Sequence, residues 1–160
     1  MFRSSISIIT ITYNAESTLR RTIESVATQE YDCIEYIIVD GASTDGTMGI
    51  VREYSNVVTK YISEPDNGLY DAMNKGLKMA TGDYVWFVNS GDEIASPTVI
   101  RDMFEYEPYC DVYYGETVMT DMGGNVIGGR RLKAPDALTW RSFKMGMLVS
   151  HQSFVARRVL

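Results

Sequence analysis

Two adjacent carboxylates, Asp92 and Glu93, follow the apolar run Tyr84 to Val88 in a loop shared with Asn89, Ser90 and Gly91. At the exit of a strand such a pair can bind a hard divalent cation through its oxygens and leave positions for phosphate and water. The same pair also suits a solvated acidic loop. A second polar cluster, Asp40-Gly41-Ala42-Ser43-Thr44-Asp45-Gly46, closes the apolar run Ile34 to Val39. Asp40 can accept a hydrogen bond from a base N–H, and Tyr13, just past the run Ile6 to Ile11, can stack on a planar ring. The plainer reading makes Asp40 and Asp45 a turn and helix-cap cluster and Tyr13 a rim aromatic.

The chain that carries these groups has 160 residues, 45% hydrophobic and 22% charged, which argues for one soluble globular domain and against disorder, collagen-like repetition or a disulfide-stapled mini-protein. Fifteen Lys and Arg against twenty-one Asp and Glu give a net charge of −6. No general attraction to nucleic acid or anionic lipid is expected, so any phosphate must be bound locally. A cation bridging carboxylate and diphosphate turns the repulsion of an acidic surface into attraction. Cys33 and Cys110 lack metal-ligand spacing and read as reduced packing thiols. The N-terminal stretch is too polar and short for a signal or a membrane span, which predicts a cytoplasmic protein with peripheral membrane attachment left open.

The elements that must position the polar loops alternate. Apolar β-branched runs predict strands at 6–11, 34–39, 57–62 and 84–88, and helical periodicity predicts helices at 17–29, 47–54, 69–80 and, from a Ser96-Pro97 start, to Tyr106. Such alternation implies right-handed βαβ crossovers and a three-layer α/β/α sandwich with a mostly parallel sheet. Ligands bind such sheets beyond the carboxyl ends of the strands, where the loops after strands one, two and four lie. After Asp111, Tyr113, Tyr114, Val118 and Met119, then Asp121 to Asn125, then Val126 and Ile127 predict a β-hairpin. The stretch with Trp140, Phe143, Met145, Met147 and Leu148 shows no clear period.

Dinucleotide, Walker-type and nucleophile-elbow glycine motifs are all missing. The order of the pieces instead resembles the family 2 glycosyltransferases, which have the GT-A fold, over about residues 5 to 155. The carriers are Ile8-Ile9-Thr10-Ile11-Thr12-Tyr13-Asn14, Ser25-Val26 with Gln29, and Ile38-Val39-Asp40-Gly41-Ala42-Ser43-Thr44-Asp45-Gly46-Thr47. They continue through Asn67-Gly68, Ala72, Asn74, Gly76, Ala80, Gly82 and Asp83 to Phe87-Val88-Asn89-Ser90-Gly91-Asp92. The resemblance implies that Asp40 contacts a uracil, that Thr12 and Tyr13 line the base, and that Asn14, Ser43, Asp45 and Asn74 complete the nucleotide site. Asp92 stands for the last carboxylate of the family's D-x-D and would hold a divalent metal, Mn²⁺ or Mg²⁺, on the sugar-nucleotide diphosphate, with Glu93 a further candidate ligand. Gly41 replaces the usual second aspartate, Met73 a common arginine, and Asn89 and Gly91 the other carboxylates of the metal motif.

The resemblance also implies an inverting transfer to a saccharide or lipid-linked acceptor in cell-surface polysaccharide synthesis. The base in relatives follows a segment matching His151-Gln152-Ser153-Phe154-Val155-Ala156-Arg157-Arg158. The base is therefore expected beyond Leu160, with residues 1–110 the nucleotide-sugar half and 111–160 the start of an acceptor half in a truncated chain. His151, the single histidine, is a candidate acceptor-site residue. A binding module without turnover is the alternative. A nucleotidyltransferase lacks the glycine-rich basic N-terminal loop it would need.

Overall fold

The computed structural model describes residues 3–106, 109–121, 123–130, 133–135, 137–146 and 148–159. Met147 and Leu160, and the side chains of Trp140 and Met145, lie outside the described set. The chain runs β1 (Ile6–Thr12), α1 (Leu19–Ala27), β2 (Ile34–Asp40), α2 (Thr47–Glu53), β3 (Lys60–Ser63), α3 (Leu69–Met79), β4 (Tyr84–Phe87) and α4 (Val99–Tyr106). It continues as β5 (Val112–Tyr114), β6 (Val118–Thr120) and β7 (Val126–Gly129). A 3-10 turn at Trp140–Met145, another at His151–Ser153 and β8 (Phe154–Arg157) complete it.

The six-stranded main sheet has the order β3-β2-β1-β4-β8-β5, and β6 and β7 form a separate ribbon. β1 pairs in parallel with β2 and β4, β3 in parallel with β2, while β8 runs antiparallel to both β4 and β5. All seven residues of β1 are buried, as a central parallel strand covered on both faces must be. Ile6, Ile8, Tyr36, Ile38 and Trp86 point to one core with Leu19, Ile23, Val51 and Ile100 of α1, α2 and α4. Ile9, Ile11, Ile37, Val39 and Val85 point to the other, with Ala72 of α3. This is the expected sandwich of three layers. α3 approaches closely because Gly76 has no side chain: a Cβ there would lie 2.5 Å from Ile9 Cγ2.

The larger departures from expectation each have a local reason. β3 starts at Lys60, because the N–H groups of Val57 and Val58 bond back to the Tyr54 carbonyl at the end of α2. α4 starts at Val99 because the Ser96 and Pro97 carbonyls accept from Gln29 and the Glu30 N–H. Tyr113 and Tyr114 leave the hairpin and join the main sheet, where Tyr113 packs on Tyr84 and Phe104. The hairpin keeps only β6 and β7, closed by Asp121 Oδ1, which accepts the N–H groups of Gly123 (2.8 Å) and Asn125 (2.9 Å). β8 carries no clear alternation and is recruited by pairing between β4 and β5. Cys33 and Cys110 remain thiols, and among the described residues no helix is long and apolar enough to cross a membrane.

Candidate active site

Parallel pairing brings the loops after β1, β2 and β4 to one edge of the sheet. There the register sets Thr12 beside Asp40. Asp40 is 0% exposed and its carboxylate is already engaged. One oxygen accepts the Ser43 hydroxyl, and the other accepts the Ser43 N–H at 3.0 Å and the Ser63 hydroxyl at 2.6 Å. Asn14 sits at φ 46°, a left-handed conformation in which Asn is enriched. It donates its N–H to Ser43 Oγ at 2.8 Å and accepts the Thr44 N–H at 2.9 Å.

Asp45 accepts the N–H groups of Thr47 (3.0 Å) and Glu16 (3.2 Å), and bonding to Thr47 holds its carboxyl below the ordinary carboxylate range. Its oxygens tie the start of α2 to the loop after β1, the turn task that local sequence also allowed. Tyr13 is 64% exposed, its ring open to a planar ligand. The structure thus gathers Thr12, Tyr13, Asn14, Asp40, Ser43 and Asp45. Asn74 lies on the exposed side of α3, while Ala72 and Gly76 turn to the sheet.

The second half of the site leaves β4. Among the described residues, Thr12 Oγ1 and Asn89 Oδ1 are buried side-chain polar atoms without a hydrogen-bond partner. Leaving such an atom unpaired costs roughly 1–3 kcal/mol, and native folds keep few of them. The two sit on neighbouring strand ends, where the Ser90 N–H still reaches the Ile11 carbonyl at 3.2 Å. Each is a buried polar atom that the described residues leave unpaired.

Asp92 is less exposed than Gly91 and Glu93 on either side of it. Burial pushes its carboxyl above the usual range, against the pull of His151, an Asn89 backbone bond and the Gln152 side chain. The 3-10 turn at His151–Ser153 brings these residues in, and the Gln152 carbonyl is held by Trp86 Nε1–H at 2.7 Å. α1 braces the loop from below: the Gly91 N–H donates to Thr22 Oγ1 at 2.9 Å and the Ile94 N–H to Ser25 Oγ at 3.1 Å. Glu93 takes a different partner from Asp92, the Arg21 guanidinium of α1.

Among the described residues no three His, Cys, Asp or Glu side chains converge on a cation position. The Asp92 carboxylate, with the orphaned Asn89 carbonyl oxygen and His151 nearby, is a donor set that suits a hard cation whose shell is completed by phosphate oxygens. The residues present therefore fit a divalent metal shared with a diphosphate. Beside them opens a cavity of about 830 Å³, walled by Trp86, Val99, Met103, Tyr113 and Val155 and edged by Asp92 and Gln152. Sequence reasoning gave Gln152 no role and read Asn89 only as a lost carboxylate. The His151-Gln152 dipeptide was the signal for the first, and for the second only the fold reveals an unpaired oxygen.

Residues 7–160 match the model of glycosyl transferase family 2. An uncharacterized glycosyltransferase of Mycobacterium tuberculosis is 33% identical over 154 residues, covering 92% of this chain and 56% of its own length. The crystal structure of S. aureus TarS in complex with UDP-GlcNAc is similar over 68% of this chain and 33% of its own, with 30% identity and a TM-score of 0.61. A Pyrobaculum calidifontis mannosyltransferase in complex with GDP-Man and Mn²⁺ shares the fold at 23% identity and a TM-score of 0.64, over 71% of this chain and 36% of its own. The chain spans about half the length of the M. tuberculosis relative. With the polar loops gathered at the carboxyl edge of a parallel sheet and the match running through them, this chain belongs to glycosyl transferase family 2.

Proposed function

We propose that the chain carries the donor site of an inverting glycosyltransferase that moves a sugar from a UDP-sugar to a saccharide or lipid-linked acceptor in cell-surface polysaccharide assembly. One observation carries the reading. The unpaired Thr12 Oγ1 and Asn89 Oδ1 sit at adjacent strand ends, and the same β4 loop holds the desolvated Asp92. In this reading residues 1–110 supply the nucleotide half and residues 111–160 contribute to the acceptor side.

In this reading the Tyr13 ring stacks on the base, and Asn14, Asp40 and Ser43 hold the loop that frames it. Asp92, with Asn89 and His151, would hold Mn²⁺ or Mg²⁺, which when bound neutralises the diphosphate and stabilises it as a leaving group. The cavity beside Asp92 and Gln152 would seat the acceptor. Such a protein works in the cytoplasm, and with a lipid-linked acceptor at the inner face of the membrane.

Calorimetric titration with UDP, with and without Mn²⁺, tests this. UDP should bind in a Mn²⁺-dependent manner. That dependence should disappear in Asp92→Ala and persist within a few-fold in Glu93→Gln, whose carboxylate serves Arg21. Metal-independent UDP binding that is unchanged in Asp92→Ala would remove the metal assignment, and no UDP binding at all would remove the function.

A further inference from the structure

The net charge of −6 is not spread evenly along the chain. Residues 115–150 carry five Lys and Arg against three Asp and Glu, whereas the rest of the chain carries ten against eighteen. The same basic stretch holds the ribbon of β6 and β7, in which no residue is buried. Val118, Met119, Val126 and Ile127 are 55–65% exposed there, although all four are large and apolar. Val118 pairs with Gly129 and Met119 with Gly128, so the residue opposite each has no side chain to cover it. Single exposed apolar residues are ordinary, but four gathered on one two-stranded ribbon form a patch of the kind that marks an interaction surface.

The cations stand at the root of that ribbon. Arg130 follows β7 directly, its N–H on the Thr117 carbonyl at 3.3 Å. The exposed Lys133 precedes Ala134, whose N–H bonds Glu116 Oε1 at 2.9 Å just ahead of β6. Arg141 and Lys144, both exposed, lie on the 3-10 turn Trp140–Met145, which Phe143 anchors on Phe154 with ring centroids 6.0 Å apart. Phe154 in turn pairs with Tyr114, the strand residue that leads into the ribbon. Glu116 and Asp121 spend their oxygens on backbone N–H groups of the segment itself.

We propose that the β6–β7 ribbon, flanked by Lys133, Arg141 and Lys144, is a docking surface for an anionic lipid bilayer. Its two components match the two layers of such a surface. Apolar side chains on both faces of a ribbon suit the boundary between head groups and acyl chains, where the unpaired ribbon edges still reach water. A folded acidic protein would cover one face, whereas lipid surrounds both. Each Lys or Arg near a negative membrane surface strengthens binding about fivefold. The acidic remainder of the chain is repelled by the same charge, which orients the protein with its ribbon toward the membrane. Thr117 and Val118 also line the cavity beside Asp92. Resting on the acceptor reading above, docking by this ribbon sets that cavity against the bilayer, where a lipid-linked acceptor reaches it without leaving the membrane.

The test is co-sedimentation of the full chain with vesicles of phosphatidylcholine alone and of phosphatidylcholine mixed with phosphatidylglycerol, alongside UDP titration of each variant. The chain should bind the mixed vesicles only and be released by high salt. Val126→Ser combined with Ile127→Ser should weaken binding about tenfold or more. Lys133→Gln and Lys144→Gln should each weaken it about fivefold, while Lys78→Gln, the same change of charge on the exposed side of α3, should leave it unchanged. All these variants should bind UDP as the wild-type chain does, which shows them folded. Failure to bind the mixed vesicles, or an equal loss from Lys78→Gln and Lys133→Gln, overturns the surface. A dimer that the serine variants abolish, without vesicle binding, makes the ribbon a contact between copies instead. UDP binding without vesicle binding removes this inference alone, and vesicle binding without UDP binding removes the donor reading alone.

Discussion

Glu35 offers a way to separate what stabilises this fold from what it binds, because it sits at the end of the sheet opposite the candidate site. Its carboxylate takes four donors: Lys60 Nζ at 2.5 Å, Ser7 Oγ at 2.5 Å, and the Thr81 N–H and hydroxyl at 2.8 Å each. Burial alone would raise its pKa, but the bonds from Lys60, Ser7 and Thr81 outweigh it and bring the value from 4.5 down to about 2. At about 1.4 kcal/mol per pH decade, that difference is worth roughly 3 kcal/mol. The Glu35 side chain is only 13% exposed, but Lys60 is 38% exposed, and screening there brings the expectation to about 2–3 kcal/mol.

The contribution has a definite pH window. A carboxylate with a lowered folded pKa stabilises fully above its unfolded pKa and loses that stabilisation as pH falls toward the folded one. Between pH 7 and pH 3 the wild-type chain should lose about 2 kcal/mol from this group alone. Glu35→Gln cannot titrate, and it turns an amide NH₂ toward two of the four donors, so it should be less stable at pH 7 and lack this part of the acid sensitivity. Urea denaturation of both proteins at pH 7 and pH 3, with UDP titration at pH 7, measures each part. A stability gap of the same size at both pH values would refute the linkage argument, and a changed UDP affinity would refute the separation of the two ends of the sheet.

Thr12→Val replaces a buried hydroxyl that has no partner by a methyl of similar volume; it should raise thermal stability by about 1 kcal/mol and weaken UDP binding, and a lowered melting temperature would show that the hydroxyl is satisfied in the free protein. Gly76→Ala gains about 1 kcal/mol of helix propensity, but its methyl meets Ile9 Cγ2 at 2.5 Å. Overpacking of a rigid core costs about 1–3 kcal/mol, so a modest net loss should appear in a urea melt, and a net gain would mean that α3 moves away freely.

Much of this was legible before folding. The alternation of β-branched runs with helical stripes located β1, β2, β4 and the first three helices, because local periodicity records which faces will be buried. The ends of β3 and α4 were less legible. Val57 and Val58 look like strand residues, yet their N–H groups finish α2, and Ser96-Pro97 looks like a helix start, yet its carbonyls serve the end of α1. In both cases a hydrogen bond made to another element overrode a local preference. β8 was illegible because four residues paired between two strands need no alternation of their own.

The site divides along the same line. Residue types and spacing alone placed Tyr13, Asp40 and Asp92 at strand exits, since a polar loop after an apolar run must surface at the carboxyl edge of a parallel sheet. Tertiary structure alone decided what each does there. It buried Asp40 under two serines, tied Asp45 to the start of α2, turned Glu93 to Arg21 and exposed Asn74 on α3. It also brought His151 and Gln152 to Asp92. Sequence specifies which groups are available, but a carboxylate's task depends on the donors and the water that surround it, and those are set by contacts between distant segments.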